Sequence, residues 1–537
     1  MLSRSIFLCD YYYNNFGELG DLHMHTKIFS ATTIGVQAYS VEVEVDLSFG
    51  MLQFYIVGLP DAAIKESRQR ITTALKNSGV PIPERKITVN LAPADLKKEG
   101  TLFDLPIAVG IAHAAGQIPC EKEWLSKTLI VGELSLDGAI RGVHGILSIA
   151  YDARAWGISR VIVPAVNSPE AALVEGIEII GVSHIIELFE YMRGERSISP
   201  TLLNRAQLSL HGQITDIDFN QVKGQRQAKR ALQIAAAGGH NILFVGSPGS
   251  GKTMLAQRLI TILPPLSFEE MLETSKIYSV TGKLQAQKLI YERPFRTPHH
   301  TISPVGLVGG GSHPQPGEIS LAHNGVLFLD ELTEFSRDTL EVLRQPLESK
   351  SVTIARAQYV VEFPANFMLA CALNPCPCGF YGDARKRCVC SPQHIAQYMS
   401  KISGPLLDRI DVQVYVPSVS YAEAVASGVQ SPEIDSTQLR EGVMAARVAQ
   451  RARFGTPLIS NSTMSTEYIT QYCMLSSDTA LMVKKLFENL GLSMRGYHKL
   501  LRVARTIADI ENSEKIERHH MQEASMYRSL DINSPAK

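Results

Sequence analysis

Asn241-Ile-Leu-Phe-Val245 runs directly into Gly246-Ser-Pro-Gly-Ser-Gly-Lys-Thr253, and a stretch of helical character, 254–263, follows. An apolar strand, a glycine-spaced loop closing on Lys-Thr and then a helix is the order that a phosphate-binding loop requires. Gly246, Gly249 and Gly251 let the backbone curl so that successive N–H groups point at phosphate oxygens. Ser247, Pro248 and Ser250 complete the cradle, and the following helix N-terminus adds its partial positive charge. Lys252 is expected to reach the β- and γ-phosphates, and the Thr253 hydroxyl to bind Mg2+. A chance glycine-rich turn would not bring strand, lysine, threonine and helix together. ATP and Mg2+ are therefore the expected ligands.

Such a loop calls for a second strand that ends in acid. Gly325-Val-Leu-Phe-Leu-Asp330-Glu331 supplies it about 80 residues downstream. Asp330 is expected in the Mg2+ shell, and Glu331 as the group that activates water against the γ-phosphate. An apolar run ending in Asp-Glu is commonplace by itself; the phosphate loop gives it meaning. Asn374 ends the apolar run Phe367-Met-Leu-Ala-Cys-Ala-Leu373, where its amide could position the attacking water. Arg409, in Leu406-Leu-Asp-Arg-Ile-Asp411, and Arg495, in Ser493-Met-Arg-Gly-Tyr497, could each stabilise phosphoryl charge. Spacing alone equally allows both arginines to be ordinary ion-paired side chains.

The chain has 537 residues, enough for several domains, with a hydrophobic fraction of 45% and a charged fraction of 20%. That composition excludes a mostly disordered, collagenous or coiled-coil protein. With 52 Lys and Arg against 53 Asp and Glu the net charge is −1, so a polyanion must be held by a local patch rather than by the field of the whole molecule. No run of 18 apolar residues predicts a membrane span. Arg4 and the short apolar patch 6–9 give way to Asp10 and three tyrosines, which is no signal sequence. With the cysteines read as thiols of a reducing compartment, the expected location is the cytoplasm.

Residues 1–25 read as a leader without periodicity. An α+β unit is expected over 26–195, with Val41-Glu-Val-Glu-Val-Asp-Leu47 alternating as a half-buried strand, further strands at 86–91, 129–136 and 160–164, and a helix over 62–78. Linkers are expected at 196–221 and 421–438. Between them, 222–420 alternates strands and helices around the phosphate loop. A helical unit follows over 439–530, then a tail, 531–537. From Arg440 to Arg505 the helical unit carries ten Lys or Arg and four acids.

The stretch from Val222 to Arg505 resembles an AAA+ ATPase of the magnesium-chelatase type. With the N-terminal unit, nearly the whole chain is similar to the ComM/YifB family of bacterial magnesium-chelatase-like ATPases. The resemblance rests on Val57-Gly-Leu-Pro-Asp-Ala-Ala-Ile-Lys-Glu-Ser67, Arg296-Thr-Pro-His-His-Thr301, Gly309-Gly-Gly311, Pro316-Gly-Glu-Ile-Ser-Leu-Ala-His-Asn-Gly-Val326, Leu343-Arg-Gln-Pro-Leu-Glu348 and Asn374-Pro-Cys-Pro-Cys-Gly379. It implies an α/β fold: an AAA+ P-loop core with a C-terminal helical lid, preceded by an α+β Lon-protease-like domain. It also implies sensor 1 at Asn374, an arginine finger acting on the neighbouring subunit at Arg409, sensor 2 at Arg495, and a homo-oligomeric, usually hexameric, ring. Family members tend to begin near Met24-His-Thr-Lys-Ile-Phe-Ser30, which makes Met24 a candidate start.

The ComM branch is associated with branch migration of DNA in natural transformation, so the resemblance implies an ATP-driven translocase or helicase on single-stranded or branched DNA. Val352-Thr-Ile-Ala-Arg-Ala-Gln-Tyr-Val-Val-Glu-Phe363 reads as two strands about a turn near 355–358 and looks like the pre-sensor-1 hairpin of that clade, with Arg356 near its tip. The segment 293–316 looks like the clade's helix-2 insert and offers Arg296, His299 and His300. Both could instead be subunit-packing elements. Three rival functions stand beside this one. The N-terminal unit looks like a Lon-protease domain through Gly132-Glu-Leu-Ser-Leu-Asp-Gly138 and Gly142-Val-His-Gly145, but Asp104 falls where the nucleophilic serine belongs, and Ile146-Leu-Ser148 supplies no lysine base. Magnesium insertion into a porphyrin uses an integrin-like metal-binding domain in a separate subunit, for which this chain has no room. Remodelling of a protein client stays open.

Cys376-Pro-Cys378 and Cys388-Val-Cys390 form C-x-C-x9-C-x-C. Four thiolates could enclose a structural Zn2+, although C-x2-C knuckles are the commoner spacing. Arg385, Lys386 and Arg387 would help to stabilise thiolate charge. The alternative is a set of buried cysteines packed beside sensor 1.

Overall fold

The computed structural model describes residues 24–202, 217–284, 289–311, 314–356, 360–383, 385–418, 434–456, 459–490 and 493–528. Most of the expected leader, most of both expected linkers, the turn of the 352–363 hairpin and the C-terminal tail lie outside these. The chain divides into two compact units, and 279–289 counts with the first although its sequence neighbours belong to the second.

The first unit is built on a seven-stranded sheet. Its elements are β1 (Met24–Ile34), β2 (Gln37–Ser48), β3 (Gln53–Val57), α1 (Ala62–Asn77), β4 (Lys86–Ala92), α2 (Asp104–Ala114), β5 (Thr128–Ile130), α3 (Ile146–Ala155), β6 (Arg160–Pro164), β7 (Glu178–Val182) and α4 (Ile185–Met192). The strand order is β3-β4-β2-β1-β5-β6-β7, and β1, β2 and β4 pair antiparallel. The alternation read from 41–47 lies on β2, where Val41, Val43, Val45 and Leu47 are all buried. Met24 and His25, expected to close a leader, already belong to β1.

The expected strand over 129–136 is two elements. After β5, the Gly132 N–H donates to the Leu102 carbonyl, which turns the backbone out of the sheet, and Glu133–Leu134 pairs instead with Ile140–Arg141. Asp104 opens α2 as a buried carboxylate that accepts from the Ser67 hydroxyl, the Leu134 N–H and Arg70 Nε, the last at 2.8 Å. It is a buried ion-pair partner that joins α1 to α2.

The second unit carries a five-stranded, all-parallel sheet. Its elements are α5 (Arg226–Gly238), β8 (Ile242–Val245), α6 (Lys252–Ile262), β9 (Phe295–Arg296), β10 (Val326–Leu329), α7 (Arg344–Ser349), the antiparallel hairpin of β11 (Ser351–Ala355) and β12 (Val360–Pro364), β13 (Met368–Leu373), α8 (Pro392–Met399) and β14 (Val412–Tyr415). The helices α9 (Ser436–Phe454), α10 (Ser477–Leu490), α11 (Met494–Ile510) and α12 (Arg518–Met526) follow. The sheet runs β9-β10-β13-β8-β14, so the first strand in sequence lies between the fourth and the fifth. Every residue of β8, β10 and β13 is buried, as expected of strands covered on both faces. One apolar cluster joins Phe244 and Val412 of the sheet to Leu255 of α6, Val443 of α9, Leu500 and Ile507 of α11 and Met521 of α12.

A buried polar joint supplements that cluster. Asp411, just before β14, lies 2.9 Å from Lys499 Nζ of α11 and 3.3 Å from His240 Nδ1, just before β8; His240 Nε2 is 2.8 Å from Thr506 Oγ1. Burial pushes the Asp411 carboxyl up, but the Lys499 ammonium and His240 outweigh it and hold the group well below the usual carboxylate range. Removing one member of a buried pair strands the other charge, at a cost of about 3–5 kcal/mol. Asp411→Asn is accordingly expected to destabilise the second unit by about that amount in denaturant unfolding of the full chain; a loss below about 1 kcal/mol would contradict it. Because the folded pKa lies below the unfolded value of about 3.9, this stabilisation is present above that pH and is lost as pH falls further.

Candidate nucleotide-binding site

Parallel pairing brings three strand ends side by side. β8 pairs with β13 so that Val245 stands opposite Leu373, and β13 pairs with β10 so that Leu329 stands opposite Cys371. The next residues along these strands are Gly246, Asn374 and Asp330. The carboxyl edge of an open parallel sheet is where such folds bind ligands.

The glycine loop then turns into α6 through Gly251, whose φ of +90° favours glycine. Lys252 folds back over the loop. Its Nζ donates to the Gly246 carbonyl at 2.7 Å, the Ser247 carbonyl at 2.9 Å and Asn374 Oδ1 at 3.2 Å. Burial lowers the Lys252 pKa, against the upward pull of the Asp330 and Glu331 carboxylates. The Thr253 hydroxyl donates to Asp330 Oδ2 at 2.6 Å. Thus the residues read as the phosphate loop, the Mg2+ pair and sensor 1 converge on one place.

Glu331 is exposed and has φ +50°, in the left-handed region that a glutamate seldom adopts, with its N–H on Asp330 Oδ1 at 2.9 Å. A strained backbone persists where its surroundings over-determine it, often at a working side chain. Glu331 and Asn374 line an open cavity of about 930 Å3 with His300, Arg337, Pro377 and Lys401.

The site fits a nucleoside triphosphate with Mg2+. A Cβ placed on Gly249 or Gly251 would meet nothing within 4 Å, so the loop is an open cradle. The first N–H groups of α6 have no intrahelical acceptor and face the same opening. Thr253 and Asp330 present a hydroxyl–carboxylate pair of the kind that would hold Mg2+.

The two arginines do not join that group. Arg409 and Arg495 both donate to Glu348 Oε1 of α7, at 2.6 and 2.5 Å. The hydrogen bond from Arg495 and the charge of Arg409 hold the Glu348 carboxyl below its usual range. Glu348 ends one of the strings that carry the family resemblance, but its sequence gives no sign that two distant arginines meet on it.

Of the other candidates, Arg296 is engaged by Glu318 through Nε at 2.6 Å and a second nitrogen at 2.8 Å. Its fork is filled by a carboxylate, so Arg296 is held in an intramolecular ion pair. His299 and His300 stack with ring centroids 4.1 Å apart, and His299 Nδ1 lies 2.9 Å from Thr301 Oγ1. Arg356 is exposed just beyond β11. The Sγ atoms of Cys376, Cys378, Cys388 and Cys390 all lie within 4.8 Å of one another. Asp383, also unread in the sequence, accepts from the Ser247 hydroxyl of the phosphate loop, which with the Arg385 N–H lowers its pKa to about 2.

Lys252→Ala is expected to abolish binding of a fluorescent ATP analogue. Glu331→Gln should bind that analogue yet hydrolyse ATP at least about 100-fold more slowly. Equal loss of binding in both variants would contradict the separate duties assigned to the two residues.

Comparison with known proteins places this site within a family whose matches cover most of the chain. Residues 218–424 match the family model described as magnesium chelatase, subunit ChlI; 43–167 match subunit ChlI of Mg-chelatase, and 433–528 match the C-terminal part of that subunit. The uncharacterized protein YifB of Escherichia coli (strain K12) is 42% identical over 509 residues, covering 95% of this chain and 97% of that protein. Competence protein ComM of Haemophilus influenzae is 41% identical over 508 residues, covering 94% and 97%. Lon protease 2 of Bacillus subtilis is 28% identical over 128 residues, covering 24% of this chain and 22% of that one. A parallel sheet presenting a phosphate loop, an acid pair and an asparagine on adjacent strand ends, with relatives spanning its length, makes this chain a member of the ComM/YifB family of magnesium-chelatase-like AAA+ ATPases.

Proposed function

We propose that this chain is the subunit of a homo-oligomeric, hexameric ring that couples ATP hydrolysis to movement on single-stranded or branched DNA, with branch migration in recombination as its reaction. Three strand ends carrying Lys252, Asp330 with Glu331, and Asn374 support the hydrolytic half of this reading. Lys252 would bind the β- and γ-phosphates, Thr253 and Asp330 would hold Mg2+, Asn374 would orient water, and Glu331 would accept its proton. Mg2+, when bound, would neutralise charge developing on the β- and γ-phosphates.

Arg409 supports the ring. Its guanidinium bonds to Glu348 and to the Pro405 carbonyl, and to no residue of its own phosphate site. An arginine so held is available to a neighbouring subunit's nucleotide once Glu348 releases it, with Arg495 as the second cation of the same switch. The DNA half is carried by the β11–β12 hairpin, which stands outside the five-stranded sheet just before β13 and has Arg356 exposed at its end. A hairpin that moves with sensor 1 links hydrolysis to whatever it grips. His299 and His300 are further contact candidates. The competence protein among the relatives agrees with a DNA client. Among the described residues no helix is long and apolar enough to cross a membrane.

The test of the client is ATPase rate with single-stranded or forked DNA, against unfolded protein. Stimulation by DNA is expected; stimulation by unfolded protein alone would replace the reading with a protein remodeller. Arg356→Ala should weaken DNA binding about tenfold or more, the worth of one charge-assisted hydrogen bond. Affinity should fall only gently with salt, because few phosphates are neutralised per subunit. Mixing Lys252→Ala with Arg409→Ala subunits should restore ATPase that neither has alone, since each supplies what the other lacks. No recovery in mixed rings would mean that Arg409 acts within its own subunit.

A further inference from the structure

The four cysteines lie in a loop that begins two residues after Asn374 and ends at Ser391, the cap of α8. Cys376 Sγ is 3.3 Å from Cys378 Sγ and 3.7 Å from Cys388 Sγ; Cys378 and Cys388 are 3.6 Å apart. A tetrahedral ion with metal–sulfur bonds of about 2.3 Å sets its sulfurs about 3.8 Å apart. Three of the thiols thus stand close to the spacing of a four-sulfur cage and Cys390 Sγ lies within 4.8 Å of each, although the C-x-C pairs are tighter than the usual knuckle. The Cys390 N–H points at Cys388 Sγ, 3.4 Å away, as donors around bound thiolates do. Four thiolates around one dication leave two negative charges, and Arg385, Lys386 and Arg387 lie in the same loop. Four protein ligands leave no open position, so such an ion is structural rather than catalytic.

The same loop braces the phosphate loop. Gly379 has φ +83°, and a Cβ there would stand 2.5 Å from Pro248 Cδ, so the two loops are in direct backbone-to-ring contact. Asp383 Oδ2 accepts from the Ser247 hydroxyl, while its Oδ1 takes the Arg385 N–H at 2.7 Å. The Tyr415 hydroxyl, at the end of β14, donates to the Gly382 carbonyl at 3.3 Å. A short loop with no regular structure of its own thus lies against Ser247 and Pro248, and the cysteine cluster is what closes it.

We propose that Cys376, Cys378, Cys388 and Cys390 hold one thiolate-bound divalent ion of the zinc class, and that this ion fixes the 376–390 loop against the phosphate loop, so that nucleotide affinity depends on metal occupancy. The metal site stands independently of the DNA client, and its first readout needs neither ATP nor DNA. Full-length protein purified without chelators is expected to carry about one zinc per chain, and cobalt put in its place should show the visible bands of tetrahedral cobalt thiolate. Metal near zero with four freely reactive thiols in folded protein, or cobalt without thiolate bands, would overturn the site. Cys388→Ser/Cys390→Ser should lose the metal.

The brace is tested by binding of a fluorescent ADP analogue. Asp383→Ala should keep its zinc yet bind the analogue about five- to tenfold more weakly, and the metal-free double variant at least as weakly. Unchanged affinity in both, with zinc present in the wild type, would overturn the brace while leaving the metal site. If the wild type itself failed to bind the analogue, the nucleotide assignment would fall instead, with the zinc count unaffected.

Discussion

The second unit depends on where one strand sits. β8 lies between β13 and β14, in parallel register with both, so the loop that follows it emerges beside Asn374 and one strand away from Asp330. Nothing in the glycine loop itself brings those groups near. Any other strand order would leave the loop intact and the site unassembled. The apolar runs of β8, β10 and β13 suit the three interior positions, where each is covered on both faces.

The opposite edge of the same sheet is tied down electrostatically. Asp411 and His240 precede β14 and β8, and α11 meets them with Lys499 and Thr506. Further along α11, Asp509 accepts from Arg505 and from Arg453 of α9, and Asn461 donates to it at 2.8 Å. The start of that helix carries Arg495 to Glu348, where Arg409 also arrives. One helix therefore spans from a fixed, buried joint to an exposed, shared carboxylate. An exposed carboxylate bridging two arginines is weakly held compared with the buried pair, which fits the partner exchange proposed for it.

Much of this was legible in the sequence because it is local. A strand, a glycine-spaced loop and Lys-Thr are contiguous, and the acid pair and Asn374 each sit at the end of an apolar run. The alternation along β2 was legible for the same reason. What escaped depends on contacts distant in the chain: Glu348 gathers arginines 61 and 147 residues away, and Asp383 reaches Ser247 across 136. The Arg296–Glu318 ion pair escaped as well, because the partner lies beyond a glycine-rich segment and no sequence spacing announces it. The strand expected over 129–136 broke at Gly132, where a backbone bond to Leu102 competes with the sheet. The grouping of 279–284 with the first unit has no sequence mark at all.

The central claim is that hydrolysis at Lys252 and Glu331 moves DNA. The most direct measurement is branch migration of a synthetic Holliday junction by the full-length protein with ATP and Mg2+, run beside Glu331→Gln. The account expects the wild type to resolve the junction into forked products and the variant to bind it without moving it. Vigorous ATP hydrolysis by the wild type with the junction left intact would contradict it.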